Sequence, residues 1–183
     1  MLDRKIKLEA IKLANLKEGE LFIDVAAGRG WVFNKLAKIG NGVAIDISFN
    51  MCRNCKKYGD SIQADAKYLP FRSAIFDVVF CSFFLDTLRI SEVSQVLFEI
   101  KRILKPSGWL ITITASLGNG IQKYVQQLYN IYCSTIPPSI KIGHLSCPIN
   151  MERILIEHNF KIVRKKTSFV IFFPTDIIVS QKI

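Results

Sequence analysis

The sequence predicts a single α/β domain built on a parallel sheet with helices on both faces. Three observations carry that expectation. Apolar runs of strand length alternate with stretches of helical period from Leu21 to Thr114. The first run ends in a glycine-bearing turn, LFIDVAAGRGW at 21–31, that leads straight into a helix. Three successive runs end on an acid, Asp24, Asp46 and Asp65, and right-handed crossovers bring such strand ends to one edge of the sheet. At 183 residues the chain has the length of one domain with a sizeable core.

The first helix is expected over about 1–18, where Ile6, Leu8, Ile11, Leu13 and Leu16 recur among charges and Gly19 offers a stop. Leu21–Val25 is the first strand. Gly28 and Gly30 let the backbone turn at positive φ close to a ligand, and a helix over about 31–38 presents free N–H groups above the turn. Gly40-Asn41-Gly42 breaks that helix, and VAIDI at 43–47 is the second strand. Ser48 is placed to cap a helix over about 49–58. A short strand at 62–64 leads to Asp65, and a loop follows. Phe76 to Phe83 reads as the longest buried strand, with Asp77 at its entry. Ser91 is placed to cap a helix carrying Val93, Val96, Leu97, Ile100, Ile103 and Leu104, ended by Pro106-Ser107-Gly108 before a strand at 109–114. Residues 115–149 fall outside the alternation. Asn150 suits the cap of a last helix at 151–158, Asn159 its left-handed stop, and 160–166 and 175–181 read as two closing strands.

Half of the residues are apolar and 22% are charged, the balance of a folded globular protein. No apolar run reaches the roughly 18 residues needed to span a bilayer. The charged N-terminal stretch lacks a signal-peptide core, so a cytoplasmic protein is expected. The formal charge of +10 admits nucleic acid, an anionic membrane surface or an acidic substrate as partner. Its basic residues are scattered and no RNA-binding strand signature accompanies them, so solvated faces are the plainer reading and nucleic acid is not favoured. Five cysteines, an odd number, argue against a disulfide framework. Cys52 and Cys55 form a lone C-x-x-C, and His144 and His158 are the only histidines, so no metal site is expected.

Asp24 narrows the ligand. A carboxylate beside the turn repels a dinucleotide pyrophosphate and suits a cation or a hydroxyl-rich, ammonium-bearing molecule. DVAAGRG, VAIDIS, the run QADAKYLPFRSAIFDVVFCSFFLDTL and the block FEIKRILKPSGWLITI follow one another at the right spacing. In that order they resemble the motifs of the class I S-adenosylmethionine-dependent methyltransferases, from Leu21 to the end of the chain. LPF, LKPSG and CPINMERILIEHNF resemble more narrowly the branch of ubiquinone/menaquinone biosynthesis methyltransferases. The resemblance implies a Rossmann-like, doubly wound seven-stranded sheet, mostly parallel with a C-terminal antiparallel strand. It implies S-adenosylmethionine as cofactor and S-adenosylhomocysteine as product.

By the same resemblance Asp24 holds the methionine ammonium, directly or through water, and Gly28 and Gly30 let the backbone close on the ligand. Asp46 accepts from the ribose hydroxyls, a task suited to two carboxylate oxygens. Ile47 and Met51 flank the adenine, Asp65 takes its amino group and Ala66 supplies a backbone N–H. Cys81, Ser82 and Phe83 border the methyl-transfer site. Ala26 stands where the family usually has glycine, and its simplest reading is a negative φ, with glycine tolerated there for space.

In-line methyl transfer needs positioning and exclusion of water more than a fixed catalytic set. A base helps where the acceptor must lose a proton, and His144 is the candidate, since it shares the extra segment with Tyr124, Tyr129 and Tyr132. Residues 115–149 are expected to pack on the core and, as the family implies, to cover a quinone-, lipid- or aromatic-like acceptor. Two alternatives stay open: an RNA or protein methyltransferase, and a non-catalytic S-adenosylmethionine-binding subunit. A nicotinamide dehydrogenase is disfavoured by Asp24 and by Phe33 in place of a third glycine.

Overall fold

A computed structural model of the chain describes residues 3–116, 148–170 and 173–183. Strands β1 (Leu21–Val25), β2 (Asn41–Asp46), β3 (Asp60–Gln63), β4 (Phe76–Ser82), β5 (Leu104–Ala115), β6 (Phe160–Val170) and β7 (Phe173–Lys182) form one sheet. Their order is β3-β2-β1-β4-β5-β7-β6. Strands β1 to β5 pair in parallel, and β7 runs antiparallel to both β5 and β6. The expected fold class is the observed one. Strand order reverses between β1 and β4, which opens a crevice at their carboxyl ends where α/β sheets take ligands.

Side-chain alternation explains two cores. Val78, Phe80, Ile111, Ile113, Ile177 and Val179 face α1 (Asp3–Ala14) and α2 (Trp31–Leu36). Ile23, Val25, Val79, Leu110 and Ile178 face α4 (Ile90–Ile103) and α5 (Met151–Glu157). Because central strands bury both faces, they read in the sequence as continuous apolar runs. Helix α3 (Phe49–Cys55) packs along β2 and β3 through Cys52 and Cys55.

Several element ends differ from expectation. Helix α1 stops at Ala14, and Asn15 at φ 48° takes the left-handed position expected of Gly19. Asparagine tolerates that conformation better than most residues. Helix α4 begins at Ile90 rather than behind a Ser91 cap, and the Glu92 carboxylate accepts from the Arg89 N–H at 3.2 Å. It stops at Ile103, and 105–108 form an irregularity inside β5, where the pairing with β4 jumps from Phe76↔Leu104 to Val78↔Trp109. Ser48 holds the cap position of α3 without a side-chain bond. Asn150 caps α5 by accepting from the Arg153 N–H at 3.1 Å, and Asn159 takes φ 58°, both as expected.

Asp77 fastens the opposite edge of the sheet from the crevice. Its carboxylate accepts from the Leu21 N–H at 2.9 Å and from Lys105 Nζ at 2.7 and 2.9 Å. Burial raises its pKa, and Lys105 with the Leu21 amide more than offsets this, so the net shift is downward.

Candidate active site

The turn after β1 is tied to β2 by backbone and side chain. The Ala27 N–H donates to the Ile45 carbonyl at 2.9 Å, and the Gly28 N–H to Asp46 Oδ2 at 2.8 Å. The other oxygen of Asp46 accepts from the Ser48 N–H at 2.9 Å. This carboxylate therefore sits where two chain reversals meet, with lone pairs left for a ligand.

Ala26 corrects the expectation made for it. Its φ is 57°, not negative, so glycine at this position serves torsion as well as space. The left-handed region costs an alanine about 1–2 kcal/mol. The turn pins it there, because the next amide must reach back to β2.

Gly28 and Gly30 differ in function. Both have positive φ, 56° and 72°. A Cβ on Gly28 would meet nothing within 4 Å, so its open side is available to a ligand. A Cβ on Gly30 would lie 2.8 Å from Cys55 Sγ and 3.3 Å from Cys55 Cα, so Gly30 lets α3 approach the turn. The Cys55 thiol donates to the Gly28 carbonyl at 3.5 Å, and Cys52 to the carbonyls of Asp46 at 3.3 Å and Ile62 at 3.4 Å. Burial pushes the Cys55 thiol up to about 12, with Asp24, Cys52 and Asp46 adding to it.

The crevice holds a cavity of about 1040 Å³. Of the expected site residues, Ala26, Gly28, Asp46, Ile47, Met51, Asp65, Ala66, Ser82 and Phe83 line it. Asp24, Gly30 and Cys81 lie beneath that surface. His144 and most of the 115–149 segment lie outside the described residues. Asp24 is 1% exposed, and neither of its oxygens reaches hydrogen-bond geometry with a described residue. Burial pushes its carboxyl up to about 7; Lys7 and the Phe33 amide pull it down, and Asp46 pushes it further up. The Cys81 thiol is raised by burial, and by Asp24 and Asp86 nearby.

Asp65 Oδ1 accepts from the Lys67 N–H at 2.9 Å, and Lys67 Nζ lies 3.3 Å from Glu92 and 3.7 Å from Asp65. The Arg89 side chain, its own backbone N–H and Lys67 hold the Glu92 carboxyl down to about 2. Phe83, at φ 53°, closes the far side, with Lys7 Nζ 5.6 Å from its ring centre. Helix α1 contributes Asp3, Arg4 and Lys7, and the segment after β4 contributes Phe84, Thr87 and Leu88. Sequence reasoning left these out. The Asp3–Lys7 pair at i and i+4, beside the apolar stripe, was the available signal.

A family model described as "Methyltransferase domain" matches residues 23–112. The ubiquinone/menaquinone biosynthesis C-methyltransferase of Wigglesworthia glossinidia brevipalpis is 32% identical over 136 residues, covering 67% of this chain and 52% of that protein. The chain belongs to the class I S-adenosylmethionine-dependent methyltransferases. It spans about half the length of the curated relatives it matches. An S-adenosylmethionine-dependent methyltransferase from Methanosarcina mazei has the same fold, with a TM-score of 0.80 at 18% identity, covering 94% of this chain and 97% of that one. So does the N-methyltransferase NodS of Bradyrhizobium japonicum, solved with S-adenosyl-L-homocysteine, with a TM-score of 0.74 at 14% identity, covering 99% and 87%.

The cofactor of the class is S-adenosylmethionine, and the methyltransferase crevice fits it on its own geometry. Gly28 has open space where a side chain would stand, Asp46 ends β2 and Asp65 follows the adjacent β3, and the Asp24 carboxylate lies beneath the turn with no hydrogen-bond partner among the described residues. Among the described residues no group of side chains could hold a metal ion, and no helix is long and apolar enough to cross a membrane.

Proposed function

We propose that this methyltransferase moves a methyl group to a small-molecule acceptor of quinone, lipid or aromatic type. The observation that carries the reading is a cavity of about 1040 Å³ lined by Asp46 and Asp65 from the β2 and β3 side and by Phe83, Phe84 and Leu88 from the segment after β4. That volume lies at the upper end of the roughly 300–1,000 Å³ usual for ligand pockets. The similarity to quinone-biosynthesis methyltransferases supports the aromatic or lipid-like class.

When bound, S-adenosylmethionine supplies a methyl carbon activated by its sulfonium. In this reading Asp46 accepts from the ribose hydroxyls, Ile47 and Met51 flank the adenine, and Asp65 with Ala66 reads its edge. The Gly28 backbone borders the amino-acid portion, and Asp24 supplies negative charge from below. Ser82 and Phe83 border the transfer point, and the apolar residues after β4 exclude water. Positioning of this type supplies roughly 7–11 kcal/mol of a displacement barrier.

Calorimetry with S-adenosylmethionine on the wild type and Asp46→Ala tests the cofactor site, with tight binding lost in the variant as the expected result. Label transfer from the cofactor into quinone and lipid pools, with total RNA alongside, tests the acceptor class. Label in RNA alone would reject the small-molecule acceptor while leaving the cofactor site intact. No transfer to any pool would favour a non-catalytic subunit.

A further inference from the structure

Charge around the cavity is segregated. Towards β2 and β3 stand Asp46 and Asp65, joined to Glu92 through Lys67, which both of the last two carboxylates hold. Towards α1 and the β1 turn stand Arg4, Lys7 and Arg29, with Asp3 the carboxylate lining that side. Lys7 is engaged: Nζ lies 2.8 Å from Asp3 Oδ2 and over the Phe83 ring. Arg4 and Arg29 form no ion pair with a described residue, although both line the cavity.

The acidic half suits a ligand rich in hydroxyl and amino donors. The cationic half, whose Arg4 and Arg29 are both exposed, suits an anion, and the cofactor carries one carboxylate. Arg29 follows Gly28 directly, on the turn that borders the cofactor's amino-acid portion. Arg4 lies on α1, the element whose Lys7 covers Phe83, so it reaches the cavity from a different element than Arg29 does. Once the cofactor's carboxylate is matched by Arg29, the guanidinium of Arg4 still faces a cavity walled by Phe83 and Phe84. A guanidinium beside aromatic faces binds a flat molecule bearing a carboxylate, through paired N–H donors and ring packing.

We propose that the methyl acceptor is an anion: a planar molecule with a carboxylate that Arg4 recognises while its ring packs between Phe83 and Phe84. This rests on the methyl-transfer reading and narrows its acceptor class.

The test uses the protein saturated with S-adenosylhomocysteine and titrated by calorimetry with 4-hydroxybenzoate and with its uncharged amide. The cofactor product is titrated first; if it does not bind, the methyl-transfer reading itself falls and this inference with it. The expected result is at least a tenfold preference for the carboxylate. That preference disappears in Arg4→Gln, with melting temperature and S-adenosylhomocysteine affinity unchanged. Equal affinity for the two probes, no binding of either, or a preference that survives Arg4→Gln overturns the proposal. The cofactor's own carboxylate is the competing source of the anion, and 5′-methylthioadenosine, which lacks it, separates the two. If Arg4→Gln weakens S-adenosylhomocysteine but not 5′-methylthioadenosine, Arg4 serves the cofactor and the acceptor assignment is overturned.

Discussion

The Gly28 amide donates to Asp46 Oδ2 at 2.8 Å, which makes the turn after β1 and the end of β2 one mechanical unit. Asp46→Ala removes that acceptor and the one used by Ser48. Hydrogen bonds to a charged group contribute about 1.5–3 kcal/mol each. The variant is expected to unfold at lower denaturant concentration and to bind S-adenosylmethionine more than tenfold less tightly. Asp46→Asn, which keeps one accepting oxygen, should lose less of both. Calorimetry beside urea denaturation checks this, and affinity unchanged in Asp46→Ala would remove Asp46 from the cofactor site.

Asp24 gives the fold a pH dependence of definite sign. Burial holds its carboxyl at about 7 in the folded chain, well above the roughly 4 of a solvated aspartate. Between about pH 4 and 7 the unfolded chain has already released this proton while the folded chain retains it. Stability therefore falls as pH rises through that window and levels above it, a span of at most about 4 kcal/mol. The expected outcome is that Asp24→Asn gains stability over the wild type steadily from pH 5 to pH 7.5. A constant difference between the two proteins in urea denaturation across that range would refute it.

Ala26→Gly relieves a left-handed alanine at φ 57° but loosens the unfolded chain. The first effect is worth about 1–2 kcal/mol and the second takes back about 0.4–1 kcal/mol. A net gain between zero and about 1.6 kcal/mol is expected from equal-slope urea curves, with cofactor affinity no lower than in the wild type.

Gly28→Ala and Gly30→Ala should fail differently. At Gly30 a methyl group meets Cys55 backbone and thiol, so stability drops by about 1–3 kcal/mol beyond the torsional cost. At Gly28 the methyl group enters open space, so the stability loss is torsional while cofactor affinity falls steeply. Melting temperature and S-adenosylhomocysteine affinity, measured on both variants, separate packing from ligand contact.

How far the residues foretold this arrangement depends on what each prediction required. The buried strands were legible because a strand covered on both faces must be apolar throughout, as in β4. Asp24, Asp46 and Asp65 were legible as a set because strand ends share an edge whatever the details of packing. Depth was not. Asp24 lies under the turn rather than in the cavity wall, since its level follows from sheet twist and from where the turn leaves the strand. Gly30 announced a tight bend but not its neighbour Cys55, which arrives from another helix. The contribution of α1 was hidden for the same reason: the apolar stripe identifies the buried face, while the element overhung by Arg4 and Lys7 is decided by tertiary packing. Helix ends were least legible, because Asn15 and Glu92 took over from the expected Gly19 and Ser91.

Strand β7 lies between β5 and β6, although it follows both along the chain. The outermost strand β6 is therefore held only through a strand that follows it, and β5 keeps one edge bare until β7 docks. Docking of β6 directly against β5 is the wrong solution open to the nascent chain at that stage, and an exposed edge of this kind invites association with other chains. The sheet is sealed by its latest arrival.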